Sequence, residues 1–80
     1  MTRAEILDGV ARVAHAHLGW QGALSAEQRL IEDLGLDSIR RLVLAAEVEN
    51  HFRVALTPAD EARIATVGDL ARVIQEKLGA

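Results

Sequence analysis

A chain of 80 residues, 50% hydrophobic and 26% charged, has the composition of one small globular domain rather than of a disordered segment. Its formal charge of −3 and its two aromatic residues, Trp20 and Phe52, argue against nucleic acid as a partner, since strand binders favour basic surfaces and stacking rings. The absence of cysteine excludes disulfides, thiolate metal sites and cysteine nucleophiles, so any thiol chemistry must come from an added group.

The first four-residue signal is Thr2-Arg3-Ala4-Glu5, a capping box that opens a helix over residues 3–18. Ile6, Val10 and Val13 recur along it at helical spacing, and Gly19 suits its stop. Residues 19–37 form a long loop, a length more often functional than accidental. Leu24, Leu30, Ile31, Leu34 and Leu36 would pin that loop to the bundle, with a short helical turn near 26–31. Helix two starts at Asp37, a good N-cap, and runs to about Phe52. Thr57 caps a short third helix whose first residue is Pro58 and which ends near Ile64. Thr66-Val67-Gly68-Asp69 opens helix four over about 67–78, with an apolar stripe of Val67, Leu70, Ala71, Ile74 and Leu78. The expected fold is all-α: a small four-helix bundle over 1–80, three main helices and one short one, with a long loop between helices one and two. No apolar run reaches membrane-spanning length, and the N-terminus lacks the layout of a signal peptide. The expectation is a cytoplasmic protein that does not engage membranes.

Helix two is apolar on two sides. At about 100° per residue, Leu44, Val48 and Phe52 share one stripe, the natural core face. Ile39, Leu42, Val43 and Ala46 lie roughly opposite. A surface helix normally carries a single apolar stripe, and a domain this small can hardly bury a helix all round. The second face therefore reads as a docking surface; the alternative is that helix three and the long loop cover it. Ser38 stands at the start of the same helix, where free N–H groups and the helix dipole favour an anionic group such as phosphate. Taken alone, Ser38 is equally a helix-capping residue.

The segment Asp33-Leu34-Gly35-Leu36-Asp37-Ser38-Ile39 resembles the phosphopantetheine-attachment motif of acyl carrier proteins. In that family the motif also follows a long loop and opens the second helix. Glu47-Val48-Glu49-Asn50-His51-Phe52 is similar to the end of the family's second helix, and Ala65-Thr66-Val67-Gly68-Asp69-Leu70 to the start of its last. The resemblance covers nearly the whole chain and fits the free-standing form. It implies that a phosphopantetheinyl transferase joins 4'-phosphopantetheine from coenzyme A to Ser38, with Mg²⁺ assisting and Asp37 helping to arrange the reactants. It further implies that acyl groups ride on the arm as thioesters, presented to acyl-loading and acyl-processing enzymes of fatty-acid, polyketide or related lipid biosynthesis. The carrier itself catalyses nothing. Docking would use Ile39, Arg40, Leu42, Val43, Ala46 and Glu49, on a protein expected to be a monomer.

The second helix departs from the common fatty-acid carriers, which are rich in acids there. Arg40 and Arg41 follow the serine, and Val43 stands where an acid is frequent. A dedicated set of enzymes is expected, because rim charges tune partner choice; the alternative is that both arginines are simply solvated. Arg41 also projects toward the core stripe and is expected to extend its charged tip out at the end of the bundle. The small side chains of the inner faces would admit a folded-back acyl chain, although tight packing is the expectation for the unloaded protein.

Other readings share the fold or the serine. A peptidyl, aminoacyl or D-alanyl carrier is one, although Gly35-Leu36 before Asp37-Ser38 favours an acyl carrier. A carrier-like interaction module without an arm is another. Catalysis by Ser38 would need a base, and His15, His17 and His51 are badly placed for it. His15 and His17 lie two residues apart on a helix, which also rules them out as a helical zinc pair.

Overall fold

In a computed structural model, which describes residues 1–79, helix α1 spans Arg3–Leu18, α2 Ser38–Phe52, α3 Pro58–Ala62 and α4 Val67–Lys77. The last residue of the expected 1–80 span lies outside the described residues. The all-α bundle with one short helix is the architecture that the sequence predicts.

Local chemistry sets the helix starts. Thr2, Thr57 and Thr66 each accept a hydrogen bond from the N–H three residues on, and the carboxylates of Glu5, Asp60 and Asp69 in turn accept one from the N–H of the capping residue. Asp37 caps α2 by accepting from the Arg40 N–H at 2.8 Å. Gly19 closes α1 at φ 71°. At the end of α2 a non-glycine residue, Arg53, takes the left-handed conformation at φ 57°.

The core is drawn from α1 (Ile6, Val10, Val13), α2 (Leu44, Val48, Phe52) and α4 (Val67, Leu70, Ala71, Val73, Ile74), closed by Leu30, Leu36 and Ile64 from the connections. Helix α1 packs on both α2 and α4. Two glycines permit close approaches there. A Cβ on Gly9 would stand 2.6 Å from the Phe52 ring, so α1 meets α2 at this point only without a side chain. A Cβ on Gly68 would stand 3.0 Å from the Ala26 carbonyl oxygen, which accepts the Gly68 N–H at 2.9 Å. That bond, with Leu30 N–H to Ala65 O and Val67 N–H to Gln28 O, ties the long loop to the start of α4.

Three boundaries differ from expectation. The loop makes two turns where one near 26–31 is expected: the Gln28 N–H donates to Ser25 O at 3.2 Å, and a second, helical turn runs over 30–34, where the Asp33 carboxylate accepts the Arg29 N–H at 2.7 Å and Gly35 releases the chain at φ 69°. Helix α3 stops at Ala62, and Ile64 continues into the core in a looser turn. Leu78 is the exposed cap of α4, and Val73, not assigned to the stripe from sequence, is buried in its place.

Asp60 links the short helix to the last one. It is 8% exposed and its carboxylate meets Lys77 Nζ at 2.7 Å. The Lys77 hydrogen bond, together with the Thr57 N–H, holds its pKa at about 2 instead of 3.8. Arg63 likewise draws Glu76 below the usual carboxylate range through its forked pair at 2.9 and 3.1 Å. Because the folded-state values are lowered, the stabilisation is present above the unfolded-state pKa and is lost as pH falls from about 4 toward 2. Urea midpoints measured between pH 5 and 2 are therefore expected to fall, and Asp60→Asn should flatten that dependence while lowering the midpoint at pH 5. An unchanged pH profile in the variant would remove Asp60 from this role.

Candidate functional site

The start of α2 is the point where the sequence places its chemistry. The Asp37 backbone is extended, with φ −82° and ψ −178°, and Ser38 is the first helical residue. Asp37 caps the Arg40 N–H through its side chain, and its carbonyl accepts the Arg41 N–H at 2.9 Å. The N–H groups of Ser38 and Ile39 are left without a helical carbonyl to reach. Ser38 and Asp37 are both exposed. An exposed primary hydroxyl beside free N–H donors at the positive end of a fifteen-residue helix suits a phosphodiester.

Positioning comes from the core on both sides of the motif. Leu36, two residues before Ser38, is 4% exposed, and Leu44 and Val48 anchor the inner stripe of α2. Leu36 N–H donates to Leu30 O at 3.1 Å, which fixes the approach of the loop. The hydroxyl of Ser38 thus stands out from a rigidly seated helix end.

The outer face of α2 is open. Ile39 is 72% exposed and Leu42 63%, and Ala46 is exposed, so helix α3 and the loop do not cover them. Val43, grouped with them from sequence, is half-buried. Glu49, also placed on this face, is half-buried and bonded within the bundle, where its Oε2 accepts the Leu56 N–H at 2.7 Å. Glu47 faces His17 of α1 at 3.5 Å. Arg40 is exposed and, among the described residues, enters no ion pair. The first turns of α2 therefore present leucine, isoleucine and guanidinium, while its acids are engaged with the bundle.

A groove of about 420 Å³ opens beside the serine, between α2 and α3. Ser38 lines its mouth, with Leu42 and Ala45 on one side and Leu56, Pro58 and Ala62 on the other; Leu44, Ile64 and Leu70 lie buried within it. The interior, expected to be tightly packed in the unloaded protein, holds core side chains only 0–7% exposed, and the open space lies at the surface beside Ser38. The reason is the shortness of α3, a helix of five residues that leaves the flank of α2 uncovered. Arg41 does not extend out at the end of the bundle as expected. It is half-buried in the groove wall, and its Nη2 donates to Ile64 O at 3.3 Å. Neither the groove nor this contact is legible in the sequence.

The histidines gather no catalytic set. His15 Nδ1 lies 3.0 Å from the Trp20 carbonyl oxygen, His17 faces Glu47, and His51 packs edge-on against Phe52 with ring centroids 4.8 Å apart. His51 is at the far end of α2 from Ser38. No group of three acidic, histidine or cysteine side chains among the described residues is arranged to hold a metal ion. No helix among them is long and apolar enough to cross a membrane.

Comparison with known proteins places these features in a family. Residues 5–74 match the family described as phosphopantetheine attachment site. An acyl carrier protein of Thermotoga maritima is 37% identical over 79 residues, covering 98% of both chains. A meromycolate extension acyl carrier protein of Mycobacterium tuberculosis is 29% identical over 77 residues, which cover 95% of this chain and 67% of that protein. A solved structure from Mycobacterium tuberculosis, described as an acyl carrier protein, superposes with a TM-score of 0.82 at 28% identity over 89% of this chain and 96% of that one.

Proposed function

This chain belongs to the acyl carrier protein family, and from that premise we propose that Ser38 is its attachment point and that it presents acyl cargo to a dedicated set of enzymes. Members of the family are carriers rather than catalysts, and the group they carry is phosphopantetheine. Once joined to the protein, that group supplies a terminal thiol on which acyl chains are held as thioesters. The absence of cysteine agrees with a thiol brought in from outside.

The observation that carries the reading is the exposed Ser38 hydroxyl at the first position of α2, capped by Asp37. The hydroxyl needs no base within this chain, because a partner transferase supplies the catalysis. Asp37 holds the helix end through one oxygen, Oδ1, and leaves the carboxylate exposed for the partner to use. The free N–H groups of Ser38 and Ile39 offset the negative charge of a phosphodiester at this end. Tethering then raises the effective concentration of the cargo at each successive enzyme. Intact mass after incubation with coenzyme A, Mg²⁺ and a promiscuous transferase tests this: one phosphopantetheine should be gained, and no gain with a transferase active on a control carrier would count against the reading.

Partner choice follows from the outer face. Ile39 and Leu42 supply exposed apolar area, and Arg40 gives it a positive rim, so the fitting partner surface is apolar with acidic borders. Carriers with an acidic second helix would dock on the opposite charge. Leu42→Glu is expected to lower kcat/KM for modification by a cognate transferase about tenfold or more, the scale of an interface anchor. Thermal stability should stay nearly constant, as for exposed substitutions generally. Equal rates for wild type and variant would show that this face is not used. We place the protein's work in the cytoplasm, as a monomer, in a specialised branch of acyl metabolism.

A further inference from the structure

Arg41 gives the groove a chemistry that an alkyl chain does not match. Its guanidinium is half-buried in the groove wall and spends one of its several N–H donors on Ile64 O, at a long 3.3 Å. It enters no ion pair among the described residues, and it also lines a smaller depression of about 110 Å³. A hydrocarbon filling the groove would strip water from the remaining donors without replacing the bonds, and unsatisfied buried donors are unfavourable. Glu61 of α3 lines the same groove, half-buried and, among the described residues, with no cation paired to it; the Lys77 ammonium is taken by the neighbouring Asp60. Two side chains of opposite charge therefore line one groove of mixed polarity without forming an ion pair with each other.

We propose that Arg41 and Glu61 select the cargo of this groove, favouring acyl chains that carry a neutral oxygen substituent, a hydroxyl above all, over unsubstituted alkyl chains. The inference rests on the reading of Ser38 as the attachment point. A hydroxyl can accept from Arg41 and donate to Glu61, while the rest of a short chain contacts Leu44, Leu56 and Ile64. A carboxylate would satisfy Arg41 but meet repulsion from Glu61. Arg41 follows Ser38 by three residues and thus lies on an adjacent line of the same helix face, so cargo folding back from the serine passes it.

The test loads Ser38 from 3-hydroxybutyryl-, butyryl- and succinyl-coenzyme A and compares the three products by thermal melting and by amide shifts at Leu56 and Ile64. The hydroxybutyryl form is expected to melt above the butyryl form by about 4–8 °C, the shift of roughly one good hydrogen bond in a domain of this size. Its shifts at Leu56 and Ile64 should be the largest of the three. In Arg41→Met and in Glu61→Leu the difference between the two cargoes should collapse, a readout that a merely structural loss would not move because both cargoes sit on the same variant. Equal melting of the hydroxybutyryl and butyryl forms in the wild type overturns the proposal even where a variant does not fold. So does a difference that survives in Arg41→Met, or a succinyl form that ranks first. Failure to load any of the three overturns the carrier reading itself, a result distinct from loading without preference.

Discussion

Ser38→Ala is expected to fold as the wild type does and to gain no mass when incubated with coenzyme A, Mg²⁺ and an active transferase. The loss should be complete, not partial, because the hydroxyl oxygen is the atom that forms the new phosphodiester bond. The fold should tolerate the change because Ser38 is exposed and the cap of α2 is supplied by Asp37, whose side chain serves Arg40. No hydrogen bond by the Ser38 hydroxyl to another described residue is lost with it. Circular dichroism and melting within about 0.5 kcal/mol of wild type, the range of ordinary exposed substitutions, would establish that the loss is chemical. The same variant separates a carrier from a module that works by contact alone. A module should keep its partner after Ser38→Ala, whereas a carrier keeps docking but delivers no cargo.

The second large effect belongs to packing. Gly9→Val is expected to destabilise the bundle by about 2 kcal/mol, within the range for overfilled cores. In a domain of this length that corresponds to a fall in melting temperature on the order of 10 °C. The Cβ alone would stand 2.6 Å from Phe52 Cζ and 3.2 Å from His51 Nε2. The Phe52 ring has little freedom to withdraw, since it is 6% exposed and packed edge-on against His51. Any gain from replacing glycine inside a helix, up to about 1 kcal/mol, is smaller than the clash. Phe52→Leu should relieve part of the penalty, so that the double variant loses less than the sum of the two single ones. A Gly9→Val protein as stable as wild type would mean that α1 and α2 separate at little cost.

The two effects sit at opposite ends of what a linear reading can reach. The helix starts were legible because each is written within four residues: Thr2 with Glu5, Thr66 with Asp69, Asp37 before its helix. The stripe of Leu44, Val48 and Phe52 and the opposed exposure of Ile39 and Leu42 followed from helical periodicity alone. Family resemblance added the meaning of Asp37-Ser38, which local chemistry would have left as a cap. The contact of Gly9 with Phe52 was not legible, since nothing in the residues around position 9 names a partner so far along the chain. The contact of Arg41 is not legible for the same reason. Its wheel position points to an end-of-bundle tip, but its guanidinium instead reaches the Ile64 carbonyl, past the last residue of α3 at Ala62. The place of Glu49 on the helix groups it with the docking face, whereas the returning chain offers it the Leu56 N–H. The groove depends on what α3 fails to cover, and an uncovered space leaves no mark in a sequence.

The most direct measurement is to locate the arm. The chain has two serines, Ser25 in the long loop and Ser38 at the start of α2. Fragmentation mass spectrometry of the loaded wild-type protein should place the whole phosphopantetheine on the peptide containing Asp37-Ser38 and leave Ser25 unmodified. An arm on Ser25, or on no residue of α2, would contradict the assignment of Ser38 and of the groove beside it.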